Sequence, residues 1–221
     1  MLIVGGSRGL GLEVSKYFIG KVERLWCVSR TKSLFGAWIQ ADIASKKGLE
    51  AISDSLKDVP IDTIIYAGGT WEVGAFTNAY RFQAGAEEDI DRVLAVNLAG
   101  PIKLVRRLLP NLIQSGDPRF IVIGALSGLD NNATREVANS ASKYGLRGMA
   151  QALRLEVPRL AVTVVNPGNI ATAEVEDDIL TGKFPKQVPI PVADFLSVID
   201  FVLSVSPASV VSEINLAQRL S

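Results

Sequence analysis

Gly5, Gly9 and Gly11 punctuate the opening stretch Met1-Leu2-Ile3-Val4-Gly5-Gly6-Ser7-Arg8-Gly9-Leu10-Gly11. The apolar run Leu2-Ile3-Val4 before them is of the kind that forms a fully buried strand, and from Leu12 to Ile19 the apolar residues recur at helical spacing. A strand, a glycine turn and a helix start in immediate succession suit a phosphate anion. The glycines let backbone approach it closely, while the helix start offers unpaired N–H groups and a positive dipole end. Ser7, Arg8 and Leu10 complete the expected cradle. The spacing Gly5-x-x-x-Gly9-x-Gly11 differs from the general G-x-G-x-x-G pattern, and the absence of Lys-Ser/Thr after the last glycine excludes a P-loop.

Arg24 to Val28 reads as a second strand, ending at Ser29-Arg30-Thr31. In a dinucleotide fold a carboxylate at such a strand end grips the adenosine ribose 2′-hydroxyl, roughly twenty residues after the glycines. Here Ser29 and Arg30 stand at that point, with Arg8 in the glycine turn. Two guanidiniums and a hydroxyl suit a 2′-phosphate, so NADP(H) is expected ahead of NAD(H), which remains open. Ala37 to Gln40 is a third strand followed by Ala41-Asp42-Ile43; Asp42 either lies beside an adenine ring or caps the helix expected over residues 46–57. Ile61 to Tyr66 is a fourth strand. Ala67-Gly68 follows it, small enough for a ligand to lie against backbone outside the carboxyl end of the strand.

These sites require an alternation of strands and helices, and the rest of the chain supplies it. Residues 71–86 read as an irregular, aromatic connection carrying Tyr80. A long helix is expected over 87–109, interrupted at Asn97-Leu98-Ala99-Gly100-Pro101, where proline frees a carbonyl for another partner such as water. Phe120 to Ile123 is a fifth strand running into Gly124-Ala125-Leu126-Ser127-Gly128. A second long helix spans 136–157, and Leu160 to Val165 is a sixth strand leading into Asn166-Pro167-Gly168-Asn169-Ile170-Ala171-Thr172. Residues 173–191 read as a mobile flap or an ordered loop, followed by a helix over 192–205 and a last strand at Val210 to Ile214.

The 221 residues fit one α/β domain spanning 1–221. Lys+Arg 23 balances Asp+Glu 23, which gives no reason to expect nucleic acid or an anionic membrane as partner. No apolar stretch approaches membrane-spanning length. The single Cys27 excludes an internal disulfide and suits the cytoplasm, as does a first strand that leaves no room for a signal peptide. With His 0, the usual triad base is missing and the commonest metal ligand with it, so no metal site is expected.

Taken together, Gly5-x-x-x-Gly9-x-Gly11, Asp42, Ala67-Gly68, Asn97, Ser142-Lys143 and Pro167-Gly168-x-Ile170-x-Thr172 resemble the short-chain dehydrogenase/reductase family over essentially the whole chain. The resemblance implies a Rossmann-type, doubly wound parallel sheet of about seven strands in the order 3-2-1-4-5-6-7, with helices on both faces. It also implies hydride exchange between a nicotinamide and a small carbonyl or alcohol, and a homodimer or homotetramer built through the two long helices. Of the family's catalytic groups, the lysine falls on Lys143 and the asparagine on Asn97. The tyrosine falls on Asn139, and the serine on Ala125, or on Ser127 with a shift of two residues.

Two of the four positions therefore depart from the pattern. In the family a phenol and an ammonium share one helix face at i and i+4, and the cation lowers the phenol pKa. A carboxamide supplies no proton in this range, although Asn139 can still hydrogen-bond a substrate oxygen. Loss of a positioned general acid costs about 10²–10⁴ in rate. Tyr144, about 100° further round the helix, is expected to face away from Lys143; Ser127 ranks first as the substitute donor. Two readings follow: an oxidoreductase with an altered proton-transfer site, or an inactive dinucleotide-binding or sensor protein of the same fold.

Overall fold

Strand and helix alternate along the chain in a computed structural model, which describes residues 1–219. In order they are β1 (Leu2–Val4), α1 (Gly9–Phe18), β2 (Trp26–Ser29), β3 (Ala37–Gln40), α2 (Lys46–Ser55), β4 (Thr63–Tyr66) and α3 (Glu87–Leu94). There follow α4 (Gly100–Leu112), β5 (Arg119–Ile123), α5 (Val137–Glu156), β6 (Ala161–Pro167), α6 (Ala173–Leu180), α7 (Val192–Ser204) and β7 (Glu213–Leu216). The strands make one parallel sheet in the order β3-β2-β1-β4-β5-β6-β7, the Rossmann-type arrangement that the motifs implied.

Side-chain alternation along the strands divides the core into two layers. Leu2, Val4, Ile64, Tyr66, Phe120 and Val122 face α2, α4 and α5. Ile3, Ile65, Ile121 and Val165 face the other way, toward Val14 and Phe18 of α1 and Phe195, Ile199 and Val202 of α7. Each such aliphatic side chain, fully buried, contributes about 1.5–3 kcal/mol. β1 pairs with β2 on one side (Leu2↔Trp26) and β4 on the other (Leu2↔Ile64), so the strand order reverses there. A crevice outside the carboxyl ends of the strands opens at such a reversal, and here the glycine turn after β1 meets the Ala67-Gly68 step after β4.

Several expectations need correction. The helix expected over 87–109 is three pieces: α3, a wide π-type turn at Ala95–Ala99, and α4. In the wide turn N–H groups reach five residues back, as Gly100 N does to Ala95 O. Pro101 has no N–H to offer Val96, and the Tyr66 hydroxyl donates to the Val96 carbonyl instead, at 2.5 Å. The freed carbonyl is thus taken by a side chain rather than left to water, and burial holds the Tyr66 phenol far above its ordinary pKa. The last strand begins at Glu213, not Val210, because pairing with β6 (Val164↔Glu213 to Pro167↔Leu216) sets its register. Arg147 Nε and Asn166 Nδ2 both donate to Glu213 Oε1 at 3.0 Å and fix that alignment. The segment 173–191, expected as a mobile flap or an ordered loop, opens with the helix α6. α1 starts at Gly9, inside the glycine turn.

Tyr66→Phe would leave the part-buried Val96 carbonyl without its donor. The expected loss is about 1–3 kcal/mol of unfolding free energy, read as a lower urea midpoint with an unchanged slope.

Candidate active site

The glycine turn is built by contact. Gly5 has φ +89°, and a Cβ there would lie 2.9 Å from Gly68 N, so β1's turn is pressed against the Ala67-Gly68 step that ends β4. A Cβ on Gly11 would lie 2.2 Å from Gly5 O, which seats α1 directly on the turn. The two motifs become one surface. α1 has no acidic residue in its first turn, and its cap residue Arg8 gives no side-chain hydrogen bond. The N–H of Gly9 is taken from far away in sequence, by Glu174 Oε1 of α6 at 2.8 Å.

At the end of β2 the adenosine-side residues separate. Arg8 and Arg30 are exposed. Ser29 is buried: its hydroxyl donates to Thr31 O at 2.7 Å and accepts from Trp38 Nε1 at 3.1 Å. Its proton is therefore committed to the turn, and the arginines are the groups that face solvent. Ser7 Oγ accepts from Thr31 Oγ1 at 3.0 Å. Asp42 is exposed, with Oδ1 accepting from Ala44 N at 3.0 Å, while Ile43 is in the core. The cap of α2 is Ser45, whose hydroxyl accepts from Gly48 N at 2.9 Å. Asp42 thus does not cap that helix.

Asn97, Asn139 and Ser142 form one buried polar cluster. Asn97 clamps both backbone groups of Thr70: Oδ1 accepts from its N–H and Nδ2 donates to its carbonyl, each at 2.9 Å. The same Nδ2 lies 3.2 Å from Ser142 Oγ and 3.4 Å from Asn139 Oδ1. Asn139 is only 2% exposed. Lys143 Nζ donates to Ile123 O at 3.2 Å, and burial pushes its ammonium down to about 8. Gly128 packs on that lysine, since a Cβ there would lie 2.8 Å from Lys143 O. This contact sets the short turn Leu126–Gly128, with half-buried Ser127, against α5. Ala125 precedes it in extended backbone. Tyr144 turns to Leu129, donating to its carbonyl, as its place on the helix required. Pro167 ends β6, Gly168 N is held by Leu216 O at 2.8 Å, and Ile170 and Thr172 are buried.

Sequence reasoning missed the groups that hold α5. Its cap residue Glu136 provides no side-chain cap, so the first N–H groups need outside acceptors. Glu72 Oε1 accepts from Ala138 N at 2.7 Å and Asn139 N at 3.1 Å, and Tyr80 Oη accepts from Val137 N at 3.2 Å. The carboxylate of Glu136 in turn accepts from Phe76 N at 2.8 Å. Phe76 links Trp71 and Phe184 edge to face, at 6.1 and 5.6 Å between ring centroids. The one available signal was a long helix whose start lacks Ser, Thr, Asp or Asn.

A model of the short chain dehydrogenase family matches residues 1–180, and the chain belongs to that family. It is 29% identical over 188 residues to the ketoacyl reductase HetN of Nostoc sp., a match covering 77% of this chain and 63% of HetN's length. The structure of ElxO with NADP bound superposes with a TM-score of 0.81 at 17% identity, covering 98% of this chain and 96% of that one. 4-Hydroxyisoleucine dehydrogenase complexed with NADH gives 0.81 at 21% identity, again over 98% and 96%. These two structures show the shared fold. Among the described residues no helix is long and apolar enough to cross a membrane, and no group of three or more His, Cys, Asp or Glu is placed to hold a metal.

Glu72→Ala removes a buried acceptor from two N–H groups of α5. The expected cost is about 1–3 kcal/mol, whereas Glu72→Gln keeps an acceptor oxygen and should cost less. Urea titration of both variants checks the order.

Proposed function

We propose that this chain binds NADP(H) and exchanges hydride between the nicotinamide and a small carbonyl or alcohol, using a proton-transfer site rebuilt around Lys143 and Ser127. One observation carries the reading: Lys143, one helical turn after Asn139, packs its backbone on the Ser127 turn, and its buried ammonium, with a pKa lowered to about 8, donates to Ile123 O. The cradle fits a dinucleotide, because Gly5 and Gly11 leave no room for a Cβ and α1 begins at the turn. Gly5 to Gly11, with Ser7, Arg8 and Leu10, would hold the pyrophosphate. Arg8 and Arg30 would meet the 2′-phosphate, supporting NADP(H) over NAD(H). Asp42 and Ile43 would flank the adenine, Ala67 and Gly68 the adjoining ribose, and Pro167, Gly168, Ile170 and Thr172 the nicotinamide.

When bound, the reduced cofactor supplies a hydride. Ser127 donates a hydrogen bond to the carbonyl oxygen, and Asn97 holds the Thr70 loop in place. In the reductive direction Lys143 would give its proton to the carbonyl oxygen as the carbonyl is reduced. The neutral amine is then reprotonated from water. Carbonyl reduction agrees with the name of the relative HetN. The protein works as one cytoplasmic domain, assembled as a dimer or tetramer through α4 and α5, where Ile102 and Val137 are exposed.

A second reading, a dinucleotide-binding protein without turnover, is favoured by Asn139 itself. Its carboxamide is buried with Oδ1 turned to Asn97, and it has no proton to give. Fluorescence titration with NADPH, then turnover with a panel of ketones and quinones, separates the two. Lys143 must be protonated to donate, so the reductive rate should be level below pH about 8 and fall as pH rises through it. Lys143→Met should lose at least about 10²-fold. Binding without turnover at any pH would leave the second reading standing. Asn139→Tyr combined with Ala125→Ser should raise the rate by about 10²–10⁴ if those positions correspond to the family's acid and its serine.

A further inference from the structure

We infer that Glu174 is a displaceable latch: its carboxylate occupies the anion position at the start of α1, so the dinucleotide enters only as α6 swings away. This inference rests on the reading of the glycine turn as the pyrophosphate site. Glu174 Oε1 accepts the Gly9 N–H at 2.8 Å, across 165 residues of sequence. Both carboxylate oxygens stand 3.7 Å from where a Gly9 Cβ would be, so the group lies directly over the turn. α1 has no side-chain cap and no acid of its own in its first turn, which leaves the carboxylate as the anion at the Gly9 N–H. One N–H cannot serve a carboxylate and a phosphate oxygen at once, and the two anions repel.

The latch can open because little else holds α6. None of its residues is buried, and Glu174 is exposed. Segments with few buried contacts open at low cost. Beyond α6, Phe184 rests against Phe76 at 5.6 Å, so movement of the segment also shifts the aromatic chain beside the start of α5. Occupancy of the dinucleotide site and the position of α6 are thereby linked, and each biases the other.

The intact protein tests this with Glu174→Ala and, as control, Glu176→Ala, which removes the same charge from the first turn of the same helix. Apparent affinity is the intrinsic affinity scaled by the open fraction, so freeing the turn should tighten NADPH binding about three- to thirtyfold. Glu176→Ala should stay within about twofold of the parent. Equal or weaker binding by Glu174→Ala, or an equal gain from Glu176→Ala, overturns the latch. Hydrogen exchange without cofactor gives a separate readout: residues 5–12 and 173–184 should exchange faster in Glu174→Ala than in the parent. Unchanged exchange there overturns the latch whether or not NADPH binds. Faster exchange with no NADPH binding by any form supports the contact and refutes the dinucleotide reading instead.

Discussion

Contact between α1 and the turn that precedes it is the constraint on which this structure depends. Only a residue without a side chain fits at Gly11, because a Cβ would sit 2.2 Å from the Gly5 carbonyl. Gly5 in its turn presses on Gly68, and its φ of +89° suits glycine. Two consequences follow from that packing. The N–H groups at the start of α1 are aimed at the carboxyl edge of the sheet, and the ends of β1 and β4 merge into one surface at the point where strand order reverses.

The opposite side of the crevice is organised by α5, and its chemistry comes from burial. Lys143 carries its charge in a low-dielectric setting, where its ammonium donates to the backbone carbonyl of Ile123. Desolvation disfavours the ammonium, which is why its pKa falls. One helical turn earlier stands Asn139, a carboxamide tied to Asn97, and the effect of burial falls on the lysine's own proton. Asn97 works through backbone, closing the loop after β4 by gripping both polar groups of Thr70.

Much of this was legible in the sequence, because strand, turn and helix each leave a local mark. The glycine spacing and the apolar runs gave the alternation of strands and helices, and the family resemblance implied the strand order that the sheet shows. What escaped reading depends on partners distant in sequence. The register of β7 is set by β6 and by Glu213's partners, which no propensity of Val210-Val211 encodes. Ser29 looks like a phosphate ligand by position but spends its hydroxyl on Thr31 and Trp38. Asp42 was weighed as a cap, yet Ser45 holds that place because its hydroxyl reaches the N–H of Gly48. Glu72 lies in a segment without periodicity, so only the missing cap of α5 pointed toward it.

Glu72 and Glu174 make the same interaction in two surroundings, and the difference decides what each can do. Both are carboxylates brought from distant loops to a helix start that lacks its own cap. Glu72 is 8% exposed and accepts from two N–H groups. Removing it would strand buried donors, so the first turn of α5 depends on it. Glu174 is exposed and accepts from one N–H. Water can replace it there at little cost, and so can a stronger anion. A fold that needs one helix start fixed and the other free to receive a ligand can use glutamate for both, provided that only one of the two is buried.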